Sequence, residues 1–149
     1  MCLRHEANLV FKSHCKIRKY PFKISIFAKN FIVMNELFTI AGHFVDPKAI
    51  EEIAPLGNGL INDTFKIVVD GKPQYVLQRI NNAVFTDVEM LQNNIEAVTN
   101  HIRQKYERQG VADIGRRVLH FLKADTGKTY VVEAGKYWRV MDCISGSYT

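Results

Sequence analysis

The chain of 149 residues has only three cysteines, four prolines and one tryptophan. Cys2, Cys15 and Cys143 make an odd set with no Cys-x-x-Cys pair, which speaks against a disulfide framework and for a reducing compartment. Cytoplasm is the expected location. No apolar run approaches the roughly 18 residues of a membrane-spanning helix, so no membrane partner is expected. The first residues also lack the continuous apolar segment and small-residue cleavage site of a secretory signal. No Gly-Lys-Ser/Thr follows a glycine-rich stretch, which removes a Walker A loop, and no third glycine completes a dinucleotide-binding fingerprint.

What is present is ordinary for a globular domain: 47% hydrophobic, 23% charged and 11% aromatic residues in a length that suits one domain. The charge is unevenly placed. Residues 1–33 hold seven Lys or Arg against one acid, whereas the remainder holds thirteen against fourteen, so the formal net charge of +5 comes from the first segment. Any nucleic-acid role would belong to that tail, and the rest offers such a partner no electrostatic footing. The division expected is therefore a basic, extraneous or disordered tail over 1–33 and a domain over 34–149, with Met34 as the natural start. Cys2 with His5, and His14 with Cys15, are residue types that bind zinc, but adjacent side chains turn poorly toward one ion.

From Met34 the pattern predicts a short helix over 35–44, ended before Asp46-Pro47, and a strand over 50–55. A glycine-rich turn follows, Leu56-Gly57-Asn58-Gly59-Leu60-Ile61-Asn62, then strands over 64–69 and 74–80 joined by the hairpin signal Asp70-Gly71-Lys72-Pro73. Val88, Leu91, Ile95, Val98 and Ile102 form a helical apolar stripe, entered by a capping box of Thr86 and Glu89 and ended at Gly110. Strands over 118–123, 129–133 and 137–144, with a turn over 125–128, complete an α+β arrangement. It is an antiparallel sheet of five or six strands with one long helix.

Two features suggest chemistry. Backbone amides of the Gly57-Asn58-Gly59-x-x-Asn62 loop are free of side-chain obstruction and could close over phosphate oxygens, although a glycine-rich turn between strands often only turns. Tyr75, Leu77 and Arg79 share one face of the returning strand, and a guanidinium there suits phosphate as well as it suits water at a strand end.

A glycine loop between the first two strands, a cation late in the third, a long helix, two more strands and the run Met141-Asp142-Cys143-Ile144-Ser145-Gly146 follow the order of a kinase amino-terminal lobe. Three strings are more specific: GNGLINDTF at 57–65, YVLQRIN at 75–81 and YWRVMD at 137–142. Together they resemble the N-acetylhexosamine 1-kinase branch of the aminoglycoside phosphotransferase and choline kinase superfamily, over residues 35–148. The resemblance implies that Gly57, Asn58, Gly59 and Asn62 cover the phosphates of ATP, that Thr64 belongs to the cofactor-binding set, and that Arg79 stands where kinases hold phosphates with a strand-three lysine. It also implies that Leu77 lies over adenine, Met141 lines the back of the pocket, and Asp142 and Ile144 offer the hinge carbonyl and amide.

The sequence departs from that pattern in two ways. No acid on the long helix falls where it would pair with Arg79, Glu96 lying away from the apolar stripe and Gln92 and Asn94 flanking it more closely. No His-x-Asp or Asp-x-Asp string occurs, so the chain carries no expected catalytic or metal-binding residue. The expectation is a truncated nucleotide-binding lobe, inactive alone, whose parent transfers the γ-phosphate of ATP to an amino sugar with magnesium and a carboxyl-terminal lobe. A free-standing nucleotide- or nucleic-acid-binding module and a non-functional gene fragment are the alternatives. The acceptor sugar is not legible.

Overall fold

The computed structural model describes residues 26–57, 59–144 and 146, so the Cys2, His5, His14 and Cys15 cluster lies outside the described residues. Helix α1 spans Ile26–Ala41, beginning well before the expected residue 35 and ending before 44. Apolar residues continue upstream of Met34 without a proline or glycine to stop the helix. At its other end the His43 N–H turns back to the Ile40 carbonyl at 3.2 Å, a tightened last turn just after Gly42.

Five strands follow: β1 Glu52–Pro55, β2 Asp63–Val69, β3 Lys72–Ile80, β4 Val131–Glu133 and β5 Lys136–Asp142. They form one open antiparallel sheet in the order β1-β2-β3-β5-β4. Asp70 and Gly71, at φ of 50° and 69°, make the two-residue turn from β2 to β3, both central residues being left-handed as the strand twist demands. Glu51 Oε2 accepts the Gly71 N–H at 3.0 Å and pins that turn beside the start of β1.

The strand expected over 118–123 is absent as such. A short helix α3, Ile114–Arg117, precedes a single bridge between Phe121 and Met141, flanked by hydrogen bonds from Asp142 N–H to His120 O at 3.0 Å and Leu122 N–H to Val140 O at 2.9 Å. This segment runs beside the far end of β5, where β4 is too short to reach.

The long helix α2 spans Val88–Arg108. Asp87, not Thr86, caps it, its carboxylate accepting the Met90 N–H at 2.9 Å, while Glu89 reaches Lys128 at 3.1 Å. Aspartate is the stronger cap acceptor, and that contact places the helix start one residue later than a Thr86 cap would. Its exit matches expectation, with Val111 N–H bonded to Tyr106 O and Gly110 N–H to Glu107 O. The buried face is rotated from the expected stripe: Val98 is 57% exposed, whereas Gln92 is 1% exposed. Polar residues thus occupy part of the inward face, which an apolar-only count cannot register.

One face of the sheet carries the core. Leu37, Ile40 and Ala41 of α1 join Ile53, Ile67, Leu77, Trp138 and Val140 in one buried cluster, with Phe38, Phe65 and Tyr75 packed against it. Each fully buried Leu or Ile contributes about 1.5–3 kcal/mol, so α1 and this face hold one another in place. No helix among the described residues is long and apolar enough to cross a membrane.

Candidate functional site

The loop between β1 and β2 is tied down at several points. Leu56 N–H donates to Thr64 O at 2.8 Å at its base, and Asn81 N–H donates to Asn62 Oδ1 at 2.9 Å, fastening the loop to the end of β3. Gly59 approaches the Asn62 carbonyl oxygen so closely that a Cβ there would collide with it, so the turn accepts no side chain at this position. Leu60 stands fully exposed at the tip. Asn58 lies outside the described residues. Against the loop is an open hollow of about 380 Å³ lined by Pro55, Gly57, Gly59, Asp63, Thr64 and Phe65 among others.

Strand register divides the candidate residues between two faces. Directly opposed residues of antiparallel neighbours share a face, and Phe65, Leu77 and Val140 form such a row on the α1 side. Leu77 is 0% exposed and belongs to the core. Asp63, Arg79 and Trp138 form the next row on that side, and the Arg79 guanidinium is ion-paired with Asp63 near the surface. Thr64, Gln78 and Arg139 form a row on the opposite face, with Val76 and Met141 next to it. The structure therefore brings Thr64 and Met141 to one side of the sheet, and Leu77 and Arg79 to the other.

Sequence reasoning did not single out Gln78 and Arg139. Gln78 Oε1 accepts from Arg139 Nε at 3.0 Å and Nη2 at 2.6 Å, and Gln78 Nε2 donates to Thr64 Oγ1 at 3.1 Å. Phe121 packs under the guanidinium, 5.1 Å from ring centre to Cζ. Arg139 Nη1 is buried without a hydrogen-bond partner, and among the described residues no carboxylate lies within ion-pair distance of this side chain. Burial lowers the pKa of Arg139 from its ordinary value, because desolvation disfavours the charged form. A charged residue between Trp138 and Val140, in the apolar middle of the strand, was the available signal.

β5 ends in the connector. Asp142 Oδ2 lies 3.1 Å from His120 Nδ1, its N–H is taken by His120 O, and Cys143 N–H donates to Gln74 O at 2.8 Å. Ile144 is also engaged within the chain. A pocket of about 340 Å³ lies between α2 and the 119–129 segment, lined by Glu96, Arg103, Phe121 and Lys123 among others. Gln92 lines it too, and neither of its amide atoms finds a partner among the described residues. Glu96 is occupied by Lys123 at 3.2 Å. Among the described residues no group of three or more His, Cys, Asp or Glu side chains is placed to hold a metal ion. No family model matches the chain.

Proposed function

We propose that residues 34–149 are the nucleotide-binding lobe of an ATP-dependent small-molecule phosphotransferase, of the kinase-like N-acetylhexosamine 1-kinase type, with an amino sugar as acceptor. The observation that carries this reading is the way the chain returns after α2. β5 inserts beside β3, so the connector 142–144 and the loop 57–62 belong to one sheet, at opposite ends of its central strands. Between Asp142 and Arg139 the strand advances three residues, roughly 10 Å, comparable to the span from the base of a nucleotide to its phosphates. A base edge can be read at the connector and phosphates covered by the loop in one extended ligand.

Binding and transfer are separate tasks, and this lobe serves the first. The acceptor sugar, magnesium and the carboxylates that orient them belong, in enzymes of this type, to a carboxyl-terminal lobe. A one-sided cleft encloses far less of a ligand than the 70–90% or so usual for a formed pocket, so ATP should bind with a Kd of roughly millimolar. Titration of the 149-residue chain with ATP and with adenosine, followed by backbone amide shifts, tests the reading. Both ligands should move amides near 141–144, and ATP should also move those of 57–64. Shifts confined to residues 1–33 would overturn it.

A further inference from the structure

We propose that Asn62 is the positioning residue of the glycine loop: its side chain stands in for a missing strand at the end of β3 and so holds the loop backbone in place for an anionic ligand. The inference rests on the nucleotide-binding reading and assigns how the phosphate-covering segment is fixed. The ligand class is the polyphosphate group of a nucleoside di- or triphosphate.

Strand pairing creates the need for such a residue. The β2–β3 ladder ends at Asp63 and Arg79, because the chain before Asp63 turns away as the glycine loop. Two residues past Arg79, Asn81 still carries a main-chain N–H, and a half-buried donor at the sheet's end is costly without an acceptor. Asn62 Oδ1 accepts it at 2.9 Å. A side-chain carbonyl thus replaces the strand carbonyl that the turn has removed.

Both ends of this latch are firm. The Asn81 carbonyl accepts the Val84 and Phe85 N–H groups at 3.0 and 2.9 Å, and its Oδ1 accepts the Ala83 N–H at 3.1 Å, so a closed turn leads from β3 toward the Asp87 cap of α2. On the loop side the Asn62 carbonyl approaches Gly59 so closely that no Cβ fits there. Asn62 therefore meets the middle of the loop with its main chain and the end of β3 with its side chain.

The latch leaves the loop's own backbone available. Among the described residues the N–H groups of Gly57, Gly59, Leu60 and Ile61 donate to nothing within the protein, and all four residues are exposed. Unpaired N–H groups in a fixed turn make an anion-binding surface. A hollow of about 210 Å³ beside the latch is lined by Ile61, Arg79, Asn81 and Lys136 among others. Arg79 and Lys136 are each paired with a carboxylate, Asp63 and Glu36, so the placement of the loop N–H groups governs how well an anion is held. A loop ordered before binding does not have to be ordered by the ligand, which raises affinity for the part of the ligand it covers.

The test uses the full chain with tripolyphosphate, ATP and adenosine as probes, and hydrogen exchange at the Asn81 amide as the readout of the latch. Asn62→Leu keeps the size of the side chain and removes its acceptor. It should make the Asn81 amide exchange roughly tenfold faster and weaken tripolyphosphate and ATP roughly fivefold, while adenosine stays within about twofold. A role confined to folding would move all three ligands together, and an unchanged adenosine response near 141–144 shows that the lobe is intact. Asn62→Asp retains an acceptor oxygen and should keep Asn81 as protected as in wild type. Faster exchange at Asn81 with tripolyphosphate and ATP binding unaltered overturns the proposal and leaves the nucleotide reading intact. Weaker tripolyphosphate binding with Asn81 still protected overturns it too, since the side chain would then act on the anion itself. Loop amides of the wild-type chain that respond to neither tripolyphosphate nor ATP would defeat the nucleotide reading, and the proposal with it.

Discussion

The two faces of this sheet are built from the same three central strands, yet one is sealed and the other is chemically unfinished. On the side covered by α1, Phe65, Leu77 and Val140 lie in register and pack with Ile40 and Trp138 in one cluster. One residue along each strand, the opposite side carries Thr64, Gln78 and Arg139, a polar row in which one guanidinium nitrogen has no partner among the described residues. Strand alternation alone produces the contrast, since a shift by one residue exchanges faces. The lesson is that two arginines close in the fold, Arg79 and Arg139, have different physical situations because they differ in parity. The first is exposed and neutralised, whereas the second is held among neutral groups.

The largest expected effect concerns the sealed face. Leu77→Ala removes a fully buried side chain from the centre of the core and should cost about 2–5 kcal/mol. Its neighbour Val76 is only half-buried on the other side, so Val76→Ala should cost well under half as much. Urea unfolding of both variants measures the difference. Equal losses would mean that the two faces are packed alike, and the comparison would fail.

Gln92 offers the converse test on the other side of the molecule, beside Phe121. Its amide is buried with both polar atoms lacking partners among the described residues, and an unsatisfied buried group costs about 1–3 kcal/mol. Gln92→Leu keeps the volume nearly constant and removes that cost, so it should raise stability by about 1 kcal/mol. A thermal midpoint lower than wild type would show that the amide is satisfied and that this region is as complete as the core.

How far this could be read in advance follows from the same residues. The β2–β3 hairpin was legible because Asp70-Gly71 admits few other conformations, and so was the exit of α2 at Gly110. The sharing of one face by Tyr75, Leu77 and Arg79 was legible from alternation. Which face α1 would cover was not, because nothing local to β3 encodes the packing of a helix that lies before β1. The entry of α2 was misread by one residue because Thr86 and Asp87 are both good caps, and the rotation of α2 because Gln92 does not count as apolar. The segment 118–123 alternates as a strand does but meets β5 at one bridge only, since sheet pairing is a tertiary event. Among the candidate site residues, the loop 57–62 was visible as glycine punctuation, whereas Arg139 needed register to be noticed.

A smaller effect separates the two arginines directly. Arg79 and Asp63 are both substantially exposed, so Arg79→Ala should cost no more than about 1 kcal/mol and still less at high salt. Thermal melts at low and high ionic strength check this. A loss comparable to that of Leu77→Ala would show that Arg79 is part of the sealed face and not a surface pair at its rim.

The smallest effect is a pH dependence on the α1 side. Asp125 Oδ2 lies 2.8 Å from His43 Nδ1, and Asp125 N–H donates to His43 O at 2.9 Å, so the pair joins the end of α1 to the turn after Leu122. The hydrogen bond from His43 lowers the Asp125 pKa from its ordinary 3.8, outweighing a slight desolvation that raises it. A carboxylate with a depressed folded pKa stabilises the fold fully above its unfolded value and loses that contribution as pH falls through the folded value. Wild type should therefore lose stability below pH 3.8 more steeply than Asp125→Asn, which has no proton to gain there. Melting temperatures of both proteins between about pH 2 and pH 5 measure the slope. Because the carboxylate is fully exposed, the difference should shrink as salt is added, and parallel curves at low salt would show that the contact carries none of the acid sensitivity of the α1 face.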